Sequence, residues 1–324
     1  MESITKVKLS DKKILRMTRQ VFGKDAELYD IKELTDGFFN TAYMIALKSG
    51  YKSVLKVSPK KEVKVMRYEK NIMETEVFFL NKISTIEDIP IPRVLFYDKS
   101  KKIIDSDYFF MEFIDGEPLN KIRQTLTVEQ YSTISSQLGE YVKKINTIEG
   151  EYFGYISQVN KRFSTWSEAF LNMIKELIDD AKDIGVLLPY GNSELYLMIS
   201  KYEAVLSKVK KPSFVHKDLW EGNIFIDRKT PRIIGIIDCE RALYGDALLE
   251  PVCGFLLENK SFMNTYIGRV ELDRDEYIRT ILYKIYLFLL MVIECPYRRY
   301  PGENADRWAR SKLNEALECL IKIH

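Results

Sequence analysis

The pattern of apolar and polar positions divides the chain into a strand-rich first third and a helix-rich remainder. Residues 29–34, 42–47 and 52–57 read as strands. The turn-forming run Thr35-Asp36-Gly37-Phe38-Phe39-Asn40 and the pair Ser49-Gly50 separate them, which makes an antiparallel meander. From 63 to 83 the apolar residues Met66, Met73, Val77, Leu80 and Ile83 recur mostly at three- and four-residue steps, so much of this stretch is expected to be helical. Residues 103–104 and 108–114 read as a further hairpin, and Asp115-Gly116-Glu117-Pro118 then breaks the pattern at a natural hinge.

Beyond that break, 127–147 has the pattern of an amphipathic helix, N-capped by Thr127 with Gln130 at the third helical position. Residues 164–185 and 193–209 add two helical segments. Between 214 and 238 the pattern turns strand-like again around a Lys229-Thr230-Pro231 turn. The most apolar segment, 281–293, is uninterrupted only from 285 to 293, well short of the ~20 residues a bilayer requires, and reads as a buried C-terminal helix.

Composition narrows the chemistry. The 324 residues are 46% apolar and 30% charged, enough for a sizeable core and about two lobes at ~150 residues each. The net charge of +2 implies no global field for nucleic acid, and the lysines at 60, 61, 64, 208, 210 and 211 lack aromatic interleaving. Only His216 and His324 are present, which excludes multi-His metal sites. Cys239, Cys253, Cys295 and Cys319 form no CxxC pair and read as reduced thiols. The dinucleotide fingerprint, the P-loop and GxSxG are all absent. Residues 1–20 carry no apolar signal core, so a cytoplasmic location is expected, with no membrane partner.

The unusual residues collect in the strand-like island. It reads His216-Lys217-Asp218-Leu219-Trp220-Glu221-Gly222-Asn223, then Ile236-Ile237-Asp238-Cys239-Glu240. A carboxylate, an amide five positions on and a second carboxylate fifteen beyond suit phosphoryl transfer. One carboxylate orients a hydroxyl nucleophile, while an amide oxygen and the other carboxylate hold Mg²⁺ on nucleotide phosphates. A 224–237 hairpin would bring Asn223 and Asp238 to one mouth, with His216 bracing the loop. For each of Asp218, Asn223 and Asp238 taken singly, the ordinary reading is a turn-forming residue closing a hairpin.

At these residues the sequence resembles the aminoglycoside phosphotransferase and choline kinase-like branch of the protein-kinase-like fold. The match to its HxDxxxxN loop is complete. The resemblance implies Asp218 as the catalytic aspartate and Asn223 and Asp238 as the Mg²⁺ ligands. Upstream, Val54-Leu55-Lys56-Val57 resembles the phosphate-binding lysine strand, and Glu76 sits where the lysine-pairing glutamate is expected. Gly37 and Asn40 lie in a stretch similar to the nucleotide-covering loop, and Met111, Glu112 and Phe113 in one similar to the nucleotide-binding hinge. Two departures stand out. Lys217 replaces a small residue often found there, and Glu250 stands where an aspartate often follows the Gly-Asp pair, here Gly245-Asp246.

The implied fold is α+β and two-lobed. A small antiparallel-sheet lobe over 1–114 binds nucleotide, and a larger, mainly helical lobe over 115–324 carries catalysis and the acceptor, with the hinge about 112–118. The implied activity is transfer of the γ-phosphate of ATP or GTP to a hydroxyl of an aminoglycoside-like or other amino or sugar acceptor. Choline, fructosamine, a macrolide or another metabolite is an alternative acceptor, and a non-catalytic nucleotide sensor is a second class. Glu240, Asp246, Glu250 and Glu258 form an acidic run suited to an amino-bearing acceptor or to a solvated face. Arg298, Arg299, Arg307 and Arg310 would suit an anionic one. Lys56 taken alone reads as a solvent-facing strand lysine, and Glu74 and Glu69 compete with Glu76 as its partner.

Overall fold

The computed structural model describes residues 4–300 and 302–323; His324 lies outside them. A helix that the apolar pattern does not announce, α1 (Asp11–Phe22), comes first. The meander follows as β1 (Leu28–Leu34), β2 (Thr41–Leu47) and β3 (Lys52–Val57), then α2 (Ile72–Ile83), β4 (Val94–Asp98) and β5 (Tyr108–Glu112). The five strands form one antiparallel sheet in the order β1-β2-β3-β5-β4, with Lys56 paired to Ala42 on one side and Phe109 on the other.

Both faces of this sheet are covered, which decides where Lys56 points. Leu55 and Val57 pack with Ile14 and Met17 of α1, whereas Val54 packs with Met73, Val77 and Leu80 of α2. Side chains alternate along a strand, so Lys56 shares the α2 face with Val54. That face also meets the rest of the chain: Phe79 of α2 lies 4.2 Å, ring to ring, from Phe214.

One expectation for this half is met in part and another fails. Much of 63–83 is helical, but the helix begins only at Ile72. Residues 67–69 form a separate 3₁₀ turn closed by Glu69 Oε2, which accepts the Met66 N–H at 2.9 Å, and Asn71 then adopts φ 59°. A left-handed residue cannot continue an α-helix, and asparagine tolerates that conformation better than most. The strand partner of β5 is β4, not 103–104. Asp98 accepts the Ser100 N–H and the Tyr108 hydroxyl, turning the chain directly after β4, and Ile104 is buried in the α1-side cluster without joining the sheet.

The helical lobe opens with β6 (Glu117–Pro118), α3 (Leu119–Ile122) and α4 (Val128–Ile145). Thr127 and Gln130 make the expected reciprocal cap on α4. Helix α5 (Trp166–Asp183) is capped by Thr165. The segment expected as one helix over 193–209 is two, α6 (Asn192–Ser200) and α7 (Glu203–Leu206). They break at buried Tyr202, whose hydroxyl donates to the Leu320 carbonyl at 3.1 Å.

Four short strands follow: β7 (Ser213–Val215), β8 (Ile224–Ile226), β9 (Ile233–Ile236) and β10 (Leu243–Gly245). β7 pairs with β10, and β8 lies between β6 and β9. The chain ends in α8 (Leu249–Cys253), α9 (Lys260–Tyr266), α10 (Arg274–Arg298) and α11 (Asn304–Lys322). The 281–293 segment lies inside α10, where Leu282, Ile285, Leu289 and Val292 join residues of α5 and α11 in the largest core cluster. Among the described residues no helix is long and apolar enough to cross a membrane.

Candidate active site

The short strands bring two loops together. β7 runs into His216, β8 starts directly after Asn223, and β9 delivers Ile237 and Asp238. The Ile237 N–H donates to the Asn223 carbonyl at 3.0 Å. His216 Nε2 lies 2.9 Å from the Ile237 carbonyl, and the Asp218 N–H donates to Nδ1 at 3.3 Å. A carbonyl only accepts, so Nε2 carries the hydrogen and Nδ1 is free to accept, the neutral imidazole. Burial favours the same form, pushing His216 down to about 4. The ring therefore ties the two loops together.

Lys217 and Asp238 both have left-handed backbones, at φ 66° and 65°. Such strain persists only where the surroundings over-determine it. At Lys217 part of that support is Glu250. Its side chain is fully buried and its two oxygens accept the His216 N–H at 2.6 Å and the Lys217 N–H at 2.9 Å. The reading of Glu250 as an acceptor-facing acid is thereby corrected.

Opposite this loop, Lys56 Nζ lies 2.6 Å from Glu76 Oε1 and also contacts Asp238 Oδ1. Burial works against the ammonium, but Asp238, Glu76 and Glu240 outweigh it and push Lys56 upward. The rival acids are elsewhere: Glu74 pairs with Lys99 at 2.9 Å on the surface, and Glu69 pairs with Arg298. Burial pushes Glu76 up to about 7 and, with Asp238 adding repulsion, Glu240 up to about 8. Oxygens of Glu76, Asp238 and Glu240 lie within 4.8 Å of one another. Glu240 accepts from Asn40 Nδ2 and is nearly buried, so it faces the loop that carries Asn40 and not an outer surface.

Asp218 stands on the open side, its side chain 30% exposed. Asn223 Nδ2 donates to the Asp218 carbonyl at 2.8 Å and to its carboxylate at 3.3 Å, which leaves the amide oxygen uncommitted. Burial pushes the Asp218 carboxyl up to about 6, opposed by Arg241 at 3.9 Å. The hard oxygens of Asn223 and Asp238 are the donor set Mg²⁺ prefers.

Sequence reasoning missed Arg241 as a neighbour of Asp218. It heads a buried chain of charges: Arg241 to Glu294 at 2.6 Å, Glu294 to Arg298 at 3.5 Å, and Arg298 to Glu69. Arg298 is thus committed internally, and Arg307 and Arg310 pair with Glu303 and Asp306; neither set is a free anion site. Asp246 is likewise structural, accepting from Arg279 at 2.8 Å and Tyr283 at 2.6 Å. Also missed was the surrounding of Lys217. Its buried ammonium meets the hydroxyls of Tyr155 and Tyr286 and lies 4.7, 4.6 and 5.2 Å from the ring centres of Tyr68, Tyr155 and Tyr286. Burial without a touching carboxylate pushes Lys217 down to about 7.

The remaining residues singled out in the sequence lie in varied surroundings. Gly37 is exposed, with open space where a Cβ would stand. Met111 is buried between Val54 and Val94. The Glu112 carboxylate turns to Arg93, 2.7 Å from its Nε, and the ring of Phe113 lies under Lys52 at 5.4 Å. The Trp220 ring folds over Gly222, where a Cβ would collide with it.

The chain resembles known proteins in both sequence and fold. The profile of the phosphotransferase enzyme family matches residues 30–268. Two subtelomeric hrmA-associated cluster proteins of Aspergillus fumigatus are 25% identical over 138 residues and 26% over 117, or 42% and 36% of this chain. The matched stretches make up only 26% and 22% of those relatives' lengths. Among solved structures, a candidate fructosamine-3-kinase from Thermobifida fusca superposes with a TM-score of 0.65 at 19% identity, covering 94% of this chain and 98% of that one. The streptomycin–ATP ternary complex of APH(2″)-IIa gives 0.62 at 17%, covering 98% and 97%. Aminoglycoside phosphotransferase APH(4)-Ia gives 0.65 at 15%, covering 95% and 99%. At these identities the likeness establishes the two-lobed, protein-kinase-like fold.

Proposed function

The chain belongs to the phosphotransferase enzyme family, and from that premise we propose that it transfers the γ-phosphate of ATP or GTP to a hydroxyl of a small molecule. The observation that carries this reading is the pairing of Lys56 with Glu76 and Asp238, together with the Asn223–Asp218 contact on the loop tied to Ile237 by His216. In this reading the 1–114 lobe, hinged at about 112–118, binds nucleotide, and the 115–324 lobe binds the acceptor. A structural neighbour that holds ATP and streptomycin together supports a site for a nucleotide and a second small molecule.

Lys56, fixed by Glu76, would bind the α- and β-phosphates. Asn223 and Asp238 would hold Mg²⁺, which when bound neutralises charge on the phosphate oxygens. Asp218 aligns the acceptor hydroxyl for in-line attack. The hydroxyl oxygen bonds to the γ-phosphorus as the β–γ bridge breaks, the nucleoside diphosphate leaves, and Asp218 takes the hydroxyl proton. The transition state is loose, so positioning and cations supply most of the rate. A pure sensor has no need of a partly exposed carboxylate beside the metal ligands, so catalysis is the better reading.

The test is nucleoside diphosphate release with Mg·ATP and Mg·GTP over a panel of amine, sugar, macrocycle and aminoglycoside acceptors. Release that is stimulated by an acceptor and lost in Asp218→Asn is expected. Acceptor-independent release unaltered by that substitution would defeat the reading.

A further inference from the structure

The surroundings of Lys56 are short of free donors for a phosphate. An ammonium carries three hydrogens, and Lys56 already commits two of them, to Glu76 and to Asp238. Glu240 is a third carboxylate in the same group. A polyphosphate bound beside Lys56 therefore meets three acids and one cation that they largely occupy, an arrangement that repels it unless further positive charge is at hand.

A second lysine stands next to this group, on the segment ahead of α1. Lys6 Nζ donates to the Asn40 carbonyl at 2.6 Å, and the Asn40 side chain donates in turn to Glu240. Asn40 thus links Lys6 to the acids that surround Lys56. The neighbours of Lys6 fix it there. The Thr5 hydroxyl donates to the Phe38 carbonyl at 2.8 Å, the Val7 N–H to Thr41 Oγ1 at 2.7 Å and the Leu9 N–H to the Tyr43 hydroxyl at 3.1 Å. Residues 5–9 therefore run alongside 38–43 as a strap, with Thr5 and Val7 buried and Lys6 half-buried between them. Among the described residues Lys6 makes no ion pair. Burial pushes its ammonium down, Glu33, Glu240 and Asp238 oppose that shift, and Lys56 adds to it, so the charge lies within electrostatic reach of both Asp238 and Lys56.

We propose that Lys6 is a second phosphate-binding lysine, carried to the site by the strap of residues 5–9 and meeting the nucleotide's phosphates with the two donors that Asn40 leaves free. The inference rests on the phosphotransferase reading of Lys56 and Asp238. Lys6 precedes the residues 30–268 that match the family, so it adds a cation that the matched region does not supply. A half-buried ammonium with no carboxylate in contact makes a stronger bond to a phosphate oxygen than a fully solvated one does.

The test titrates adenosine, guanosine and their mono-, di- and triphosphates into the full chain with Mg²⁺ and no acceptor, by calorimetry directly or, for weak ligands, by competition. In the series that binds more tightly, Lys6→Met should weaken the triphosphate about tenfold, the worth of one charge-assisted hydrogen bond, and leave the nucleoside within about twofold. Lys6→Glu should deepen the triphosphate loss and spare the nucleoside as well, which also shows that both variants fold. Equal losses for nucleoside and triphosphate would make Lys6 a support for the loop alone and overturn the proposal. Triphosphate affinity in Lys6→Glu within about twofold of the unaltered protein would overturn it too, while leaving the phosphotransferase reading in place. Absence of Mg²⁺-dependent nucleotide binding in the unaltered protein would remove that reading, and the role of Lys6 with it.

Discussion

Lys56 Nζ and Glu76 Oε1 stand 2.6 Å apart although they lie 20 positions apart in sequence with a left-handed turn at Asn71 between them. The neighbouring carboxylate on the same helix, Glu74, instead meets Lys99 at the surface. Glu76→Gln should lower kcat/KM by roughly 10- to 100-fold, because a buried lysine loses its fixed partner. Glu74→Gln should change it less than about twofold, the usual worth of an exposed pair. Steady-state kinetics on both variants decides the matter, and a larger loss in the Glu74 variant would reverse the assignment.

Asp218→Asn keeps the shape of the side chain and removes its charge. Turnover should fall by roughly 10²- to 10⁴-fold with nucleotide affinity little changed. The pH profile carries a second signature. Burial pushes Asp218 up to about 6, and the ionised form is the one that orients the hydroxyl, so kcat should hold above that pH and decline as pH falls through it. The residual activity of Asp218→Asn should show a profile without that inflection; an unchanged inflection in the variant would assign it to another group.

Asp238→Ala removes both the proposed Mg²⁺ ligand and the second contact of Lys56. Calorimetry should find that Mg²⁺ strengthens ADP binding in the unaltered protein and makes no difference in the variant. Equal affinity with and without Mg²⁺ before any substitution would contradict the donor set.

His216 is buried and neutral, pushed down from 6.5 to about 4. Between those values the unfolded chain binds a proton that the folded one does not, so stability rises with pH across this window and is lost as pH falls through it. The contribution reaches about 3 kcal/mol at the acid end. Urea unfolding at pH 7 and pH 4.5 should therefore show His216→Gln losing less stability on acidification than the unaltered protein. Parallel losses would mean that the ring is protonated in the fold.

Much of this was legible along the chain, for reasons that are local. The meander and the Thr127–Gln130 cap depend on neighbours a few residues away, and Asp218, Asn223 and Asp238 lie close in sequence because one hairpin carries them. What was illegible is directional or distant. Charge at Asp246 and Glu250 is visible in sequence, but whether a carboxylate turns inward depends on the donors it meets, here Arg279 and the amides of His216 and Lys217. Arg298 finds Glu69 across 229 positions, a separation without local signature. The strand 94–98 was not read from the apolar pattern, and the late start of α2 escapes it because apolar spacing is blind to a left-handed Asn71.

Lys217 touches three distant parts of the chain at once: Tyr68 ahead of α2, Tyr155 ahead of α5, and Tyr286 within α10. A cation held by ring faces tolerates rotation better than one locked into a bidentate carboxylate, because the attraction depends on distance to the ring more than on a fixed donor direction. One ammonium thus joins the segment that leads into α2 to the long helix α10 directly beside Asp218, so the two halves of the chain share a single cation at that point.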